Sequence, residues 1–255
     1  MTNKDILRIA MEQSAADIGC RPDDFLADNN VVVPFQLNAD AKKYYKLPIA
    51  CNFVSYGNNI VAAAADDVSD IVKEYIGKFE FYHCFETPNM HWLNERLASK
   101  DYAVCFMAEY YLPDISRLSE LPCSNTLRML EKDQFEGLYL PKWSNALCRD
   151  RKELDVLGVG AYDGNKLIGL AGCSADAKEM WQIGVDVLPE YRRRGIASAI
   201  TSKLAIEILA RNKVPFYCSA WSNIRSVRNG IKSGFIPAWV EMTVKPVDVV
   251  NELNL

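Results

Sequence analysis

The segment from Tyr191 to Ala197 carries the residues best suited to chemistry in this 255-residue chain. Three arginines, Arg192, Arg193 and Arg194, precede Gly195 and an amphipathic stretch that starts at Ile196. A helix start leaves backbone N–H groups unpaired and carries partial positive charge, so it favours an anion. Gly195 and the small Ala197 let the main chain approach a bulky ligand, and the arginines add positive charge. The segment therefore predicts a site for a phosphate or pyrophosphate group.

The overall charge sets this basic segment apart from the rest of the chain. The formal net charge is -4 and the isoelectric point is about 5.4. Neutralising a nucleic-acid backbone needs a net or strongly clustered basic surface, so no nucleic-acid partner is expected. The missing Gly-Lys-Ser/Thr after the glycine also excludes a Walker phosphate loop.

The cysteines, the histidines and the apolar runs bear on the cell compartment, on metal binding and on membrane association. The cysteines are scattered singly without a Cys-x-x-Cys pair, which fits a reducing cytoplasm: Cys20, Cys51, Cys84, Cys105, Cys123, Cys148, Cys173 and Cys218. With His83 and His91 as the two histidines, we expect no metal site. The N-terminus predicts an amphipathic helix rather than a signal peptide, and the apolar runs are too short to cross a membrane. We expect no membrane partner. The oligomeric state stays open, and a homodimer is one of the alternatives.

The elements around the basic segment follow from hydrophobic periodicity. Trp181–Val187 alternates with a period of two, which predicts a strand. Ile196, Ile200, Leu204 and Ile208 recur every four residues, which predicts an amphipathic helix. The stretch 214–221 predicts another strand, so strand, helix and strand form a crossover unit with parallel strands.

Further elements flank this unit on both sides. Stretches 154–162 and 166–173 predict a hairpin around Asp163-Gly164-Asn165. Asn223 is suited to cap a last helix whose Ile224, Val227 and Ile231 share one face, and Gly234 suits its end. A terminal strand is expected at 238–244.

The first half alternates helical and extended patterns and predicts an α+β lobe. Helices are expected at 6–16, at 67–79 behind an Asp67 cap and at 90–97, and strands at 31–35, 50–54, 60–65 and 103–108. Prolines and serines between Leu112 and Asn125 suggest a boundary. We therefore expect an N-terminal lobe at 1–122 and a second domain at 123–255.

The second half resembles the GCN5-related N-acetyltransferase (GNAT) family. The family signature Gln/Arg-x-x-Gly-x-Gly/Ala is matched by Arg192, Gly195 and Ala197. Val187-x-Pro189 precedes it at the family spacing, and Asn223, Ser226 and Gly234-Phe235 follow at the family's offsets. The resemblance extends from about Leu127 to Lys245. It implies an α+β (mixed α/β) fold with a GNAT-like central mixed sheet flanked by helices, extended here by the N-terminal α+β lobe.

The resemblance also implies a co-substrate, acetyl-CoA, and an amine acceptor. The pantetheine arm is expected between two diverging strands, held by backbone groups near Val185 and Val187. The residues expected to wrap the pyrophosphate are Arg192, Arg193, Arg194, Gly195, Ile196 and Ala197. Asn223 and Ser226 are expected near the pantetheine or its thioester end. The N-terminal lobe would then cover the acceptor.

Acetyl transfer to an amine needs a proton acceptor, because an alkylamine has a pKa near ~10.4. Glu179, Asp186 and Glu241 are the candidate bases, although each is also an ordinary structural charge. A backbone N–H near Val187 would stabilise the oxyanion. Many family members carry a tyrosine seven residues after the asparagine, where this chain has Gly230. Water, Tyr217 or Ser226 would have to protonate the leaving thiolate instead.

Two functions of different classes remain open. One is an N-acetyltransferase for a primary amine of a small or amino-acid-like molecule, and the acidic chain suits a cationic acceptor. The other is a non-catalytic CoA-binding or interaction module, suggested by Gly230 and by the lack of a unique base. The N-terminal lobe as a decayed copy of the same unit is a further possibility, although it has no second Arg-x-x-Gly-x-Ala motif.

Overall fold

The computed structural model describes residues 1–36, 38–43 and 48–253. The strands are β1 Val31–Pro34, β2 Cys51–Ser55, β3 Val61–Ala64, β4 Tyr102–Pro113, β5 Thr126–Glu131, β6 Asp155–Asp163, β7 Lys166–Ser174, β8 Met180–Val187, β9 Val214–Ser219 and β10 Phe235–Pro246. The α-helices are α1 Asn3–Ile18, α2 Ser69–Lys78, α3 Thr87–Leu97, α4 Ile196–Ala210, α5 Ile224–Lys232 and α6 Val247–Leu253. The fold is the mixed α/β type that the sequence predicts.

The chain forms two compact units. The first contains Met1–Ile9 and Tyr111–Pro237, and the second contains Ala10–Tyr110 and Ala238–Leu255. These units do not coincide with the segments 1–122 and 123–255, because residues from both ends of the chain pack with segments distant in sequence. The substrate-covering role of the N-terminal lobe stays a prediction.

The second unit is built on a mixed sheet with the strand order β1-β3-β2-β10-β4. β1 is parallel to β3, whereas β2 is antiparallel to β3 and to β10. Its core packs α2 and α3 against this sheet, with Phe53, Tyr75 and Leu93 fully buried. Burial of such large apolar side chains stabilises the unit by roughly 1.5–3 kcal/mol for each one.

The first unit is built on the strand order β9-β8-β7-β6-β5. β5 to β8 are antiparallel neighbours, and β8 is parallel to β9. The residues of α4 with a four-residue spacing, Ile196, Ile200, Leu204 and Ile208, are buried against this sheet. The periodicity therefore predicted the strand, helix and parallel strand of this unit.

Four sequence expectations differ from the structure. β4 extends through Pro113 rather than ending near Ala108. Residue Val68, not Asp67, precedes α2 as its cap, and its side chain makes no cap hydrogen bond. The sequence does not predict β5, whose one buried residue is Leu130 and whose other residues are exposed or half-buried. The helix capped by Asn223 is not the last one, because α6 follows β10.

The buried face of α5 also differs from the prediction. Ile224 and Ile231 are about half exposed, at 50% and 49%, whereas Gly230 is buried. Val227 packs at the edge of the core. The helix turns small and polar residues inward because Asn229 bonds to α4, with Nδ2 donating to the Thr201 hydroxyl at 3.2 Å.

Candidate functional site

The ladder between β8 and β9 ends before the two strands do. Parallel pairing runs from Met180 opposite Val214 to Ile183 opposite Tyr217. β8 continues to Val187 and stays paired with β7 up to Val187 opposite Gly169. The edge of β8 that faces β9 therefore has no ladder partner between Gly184 and Val187 in the described strands.

A cavity of about 1220 Å³ opens where these strands part. It is bounded by β8, the end of β9, the start of α4 and one face of α5. Its lining contains nine of the ten predicted binding residues: Val185, Val187, Arg192, Arg193, Gly195, Ile196, Ala197, Asn223 and Ser226. Arg194 is not among the described lining residues, because its Nη2 donates to the Glu190 carbonyl oxygen and its guanidinium lies over the Tyr191 ring.

The loop before α4 has the backbone of an anion site. Arg193 and Gly195 both adopt left-handed conformations, with φ of 63° and 81°. The bond from Ala199 N to Gly195 O, at 3.1 Å, closes the first turn, so the N–H groups just before Ala199 have no partner within the helix. Arg192 Nε donates to the Val187 carbonyl oxygen at 3.0 Å and ties the loop to the end of β8.

Three cations of α5 that the sequence prediction missed also line the cavity. They are Arg225, Arg228 and Lys232, and their i, i+3, i+7 spacing puts them on one helix face. That spacing was visible in the sequence, but the prediction considered only the helix face that carries the isoleucines of α5. The cavity lining contains five basic side chains and one carboxylate.

Tyr217 and Ser226 form a hydroxyl pair in the cavity wall. Their oxygens lie 2.7 Å apart, and Tyr217 is 3% exposed. Burial raises the pKa of Tyr217 above its ordinary value, while the hydrogen bonds to Ser226 and Asn229 oppose that rise. A Cβ added at Gly230 would lie 3.2 Å from the Tyr217 ring, so the ring occupies space that a larger residue at 230 would need.

Asp186 is the carboxylate of the described cavity lining, and three donors hold it. Its Oδ2 accepts the N–H groups of Asn145 at 2.9 Å and Ala146 at 3.0 Å, and its Oδ1 accepts Asn145 Nδ2 at 2.7 Å. The Asn145 peptide lies directly on Gly184, where an added Cβ would overlap its carbonyl oxygen. Asn145 itself lines the cavity and carried no sequence signal, because it lies in a segment of short turns.

The other two candidate bases lie elsewhere. Glu179 precedes β8 at its paired end, where its carboxylate forms an ion pair with Lys213 at 3.2 Å. Glu241 belongs to the second unit and is 2% exposed. There it accepts Trp239 Nε1 at 2.8 Å and lies 4.0 Å from Lys42 Nζ.

Neither a metal cluster nor a membrane-spanning helix is found among the described residues. Within residues 1–36, 38–43 and 48–253, no three or more His, Cys, Asp or Glu side chains cluster so as to hold a metal ion. No helix in that part of the chain has the length and apolar character needed to cross a bilayer. All eight cysteines are free thiols.

Comparison with known families decides the identity of the fold around this cavity. A family model described as GNAT acetyltransferase matches residues 92–237, more than half of the chain. The chain belongs to the GNAT acetyltransferase family. The matched range includes the parting strands, the basic loop and α5, so the signature predicted from Arg192, Gly195 and Ala197 marks a true family member.

Solved structures of GNAT proteins resemble the chain more distantly. A GCN5-related N-acetyltransferase-like protein from Streptococcus suis is 18% identical, with a TM-score of 0.46 and coverage of 62% of this chain and 68% of that one. A GCN5-related N-acetyltransferase from Kribbella flavida is 11% identical, with a TM-score of 0.45 and coverage of 78% and 88%. A GNAT acetyltransferase from Colwellia psychrerythraea is 14% identical, with a TM-score of 0.43 and coverage of 62% and 63%.

These likenesses are too low to carry the assignment, which rests on the family model. The chain spans about two thirds of the length of the first structures that it matches. No curated protein sequence matches it.

Proposed function

We propose that this GNAT protein transfers the acetyl group of acetyl-CoA to the primary amine of a small or amino-acid-like acceptor. The observation that carries the proposal is the end of β8–β9 pairing at Ile183 and Tyr217, beside a basic cavity. The family assignment supplies the reaction class, and the cavity supports the co-substrate.

The unpaired edge of β8 fits the pantetheine arm. Amide groups of an extended ligand can add to a strand edge as a further strand does, through main-chain hydrogen bonds. The edge between Gly184 and Val187 offers such groups, although one lone pair of the Val187 carbonyl already accepts Arg192. The cavity has a volume of about 1220 Å³, whereas sites for drug-sized ligands measure roughly 300–1,000 Å³. A CoA molecule is larger than such ligands and requires the larger volume.

The start of α4 fits the pyrophosphate. Free N–H groups before Ala199, the helix dipole and the guanidinium groups of Arg192 and Arg193 all favour an anion. Gly195 adopts its positive φ without strain and leaves the main chain open. Arg194 would contribute through its backbone, since its side chain bonds to Glu190.

Three side chains and the main chain carry out the chemistry in this proposal. When bound, acetyl-CoA supplies the acetyl group in an activated thioester. Of the three candidate bases we assign the proton acceptor to Asp186, because its carboxylate lines the cavity. Three of its roughly four lone-pair positions accept the backbone N–H groups of Asn145 and Ala146 and the side-chain amide of Asn145. One position on Oδ1 remains for the proton of the attacking amine. A backbone N–H of the free β8 edge stabilises the negative oxygen.

Tyr217 protonates the leaving sulfur in this proposal. As the C–S bond breaks, the Tyr217 hydroxyl donates its proton to sulfur, and Ser226 passes a replacement proton from solvent. A Cβ at position 230 would lie 3.2 Å from the Tyr217 ring, so the tyrosine that many relatives carry there would need this ring to shift. We therefore assign the proton-donor role of that tyrosine to Tyr217. Because a thiol has a pKa near ~8.5, this assistance matters most at neutral pH.

Acceptor class and location complete the proposal. An acidic chain attracts a cationic amine, which favours a primary amine over an anionic acceptor. Eight free thiols support a reducing cytoplasm. The competing function is a non-catalytic CoA-binding module, which would bind acetyl-CoA without turning it over.

The assay that separates the two functions measures release of free CoA thiol. Purified protein is incubated with acetyl-CoA and a broad panel of primary amines, and thiol is recorded against an amine-free control. The proposal expects amine-dependent thiol release together with an acetylated amine of the expected mass. Micromolar binding of acetyl-CoA without release above background would favour the binding module.

A further inference from the structure

The basic face of α5 exceeds what a pyrophosphate site needs. Arg192, Arg193 and the free N–H groups before Ala199 already provide for a diphosphate. Arg225, Arg228 and Lys232 add three positive charges to the same cavity. Within residues 1–36, 38–43 and 48–253, none of the three forms an ion pair, although many other exposed cations of the chain do.

Their placement continues the anion site along α5. Lys232 Nζ lies 3.9 Å from the position that a Cβ on Gly195 would take, so it faces the loop before α4. Arg228 is one helical turn before it on the same face, and Arg225 is three residues earlier. Together they form a row about 10 Å long that begins beside the pyrophosphate position.

We propose that Arg228 and Lys232 form a second phosphate subsite, which binds the phosphomonoester on the ribose of the CoA nucleotide. The inference rests on the proposed function, because it needs CoA in the cavity. A phosphomonoester carries about -1.5 to -2 charge at pH 7 and accepts hydrogen bonds on three oxygens. Two unpaired cations beside a diphosphate site match a ligand whose third phosphate is a short distance from the other two.

The subsite makes the protein discriminate CoA from dephospho-CoA, which lacks only that phosphate. Each ligand is titrated by calorimetry into wild type, Arg228→Ala, Lys232→Ala and a control, Lys178→Ala. Lys178 is exposed in the same unit, has the same charge and lies outside the cavity lining. Arg228 and Lys232 are exposed, so the variants should fold, which thermal unfolding checks.

Wild type and Lys178→Ala are expected to bind CoA about 10-fold more tightly than dephospho-CoA, the factor that charge-assisted hydrogen bonds supply. Arg228→Ala and Lys232→Ala are expected to lose most of this preference while their affinity for dephospho-CoA stays near that of wild type. Equal affinity of wild type for both ligands would overturn the subsite and leave the proposed function standing, as would variants that weaken both ligands equally. Binding of neither ligand by wild type would overturn both.

Discussion

The hydroxyl oxygens of Tyr217 and Ser226 lie 2.7 Å apart in the wall of the cavity, with the Tyr217 ring packed over Gly230. This pair stands where the β8–β9 ladder ends, since Tyr217 is opposite Ile183 in the last register pair. A proton donor at that point is next to the thioester end that the parting strands would hold. Because of this position, we assign the pair the role of protonating the leaving sulfur.

Replacing Tyr217 by Phe should slow acetyl transfer without weakening acetyl-CoA binding. We expect kcat at pH 7 to fall about 10²-fold, at the lower end for a general acid. The deficit should narrow above about pH 8.5, where the thiol leaves as thiolate without a proton. Steady-state kinetics from pH 6.5 to 9.5 test this, with Tyr162→Phe, outside the cavity lining, as control. A deficit that is constant with pH would indicate a packing role for Tyr217 instead.

Replacing Asp186 by Asn should remove the proton acceptor but keep most of the contacts to the loop. An amide oxygen still accepts the N–H groups of Asn145 and Ala146, so the melting temperature should change little. We expect kcat to fall by about 10² or more, because the described cavity lining holds no second carboxylate to accept the proton. Glu207→Gln, a half-buried carboxylate outside the described cavity lining that pairs with Arg211, serves as control. A variant that keeps kcat within about threefold, well short of that general-base effect, would remove Asp186 from the mechanism.

Two substitutions of Gly195 test the anion site, because they impose the same backbone strain and differ in charge. Gly195→Glu and Gly195→Gln both force a side chain into a left-handed backbone with φ of 81°, at a cost of roughly 1–2 kcal/mol of stability. Only the glutamate adds negative charge to the site. Calorimetry should therefore show Gly195→Glu binding acetyl-CoA at least about 10-fold more weakly than Gly195→Gln, as one lost charge-assisted contact implies. Equal affinities of the two variants would place the diphosphate elsewhere.

Asp155 gives a pH dependence of stability that is independent of activity. Burial raises the pKa of Asp155 to about 6, from 3.8, against the hydrogen bonds from Cys148 N–H and Tyr139. The folded state thus holds the proton at pH values where the unfolded chain has released it. The free energy of unfolding should therefore fall, through this group, as pH rises from about 4 to 6.

Urea unfolding of wild type and Asp155→Asn at pH 4.5, 5.5 and 7 tests this. The asparagine cannot ionise, so the variant should gain stability relative to wild type as pH rises through about 6. A difference that does not change with pH would show that Asp155 stays ionised throughout that range.

The strands and helix around the basic loop were predictable because their signals are local. Alternation in β8 and the four-residue recurrence in α4 each follow from burying one face, and Asn223 caps α5 as its type predicts, accepting Ser226 N–H at 3.3 Å. The same periods indicated the mixed α/β fold. Nothing in them depends on distant parts of the chain.

The rest of the site depends on tertiary packing, which periodicity does not report. α5 turns Gly230 inward because Tyr217 of β9 occupies that space, and no spacing within α5 shows this. Asn145 reaches the cavity because Gly184 admits its peptide and Asp186 binds it, a contact between segments 41 residues apart. The missing tyrosine at Gly230 was visible in the sequence, but its replacement was not.

The position of the pantetheine arm tests the central claim most directly, and electron density for crystals grown with acetyl-CoA would reveal it. The account predicts an extended chain of density along β8 between Gly184 and Val187, with amide contacts to that edge and a diphosphate at the N–H groups before Ala199. Density for the ligand at any other place, or β8 and β9 hydrogen-bonded to each other beyond Ile183 and Tyr217, would contradict it.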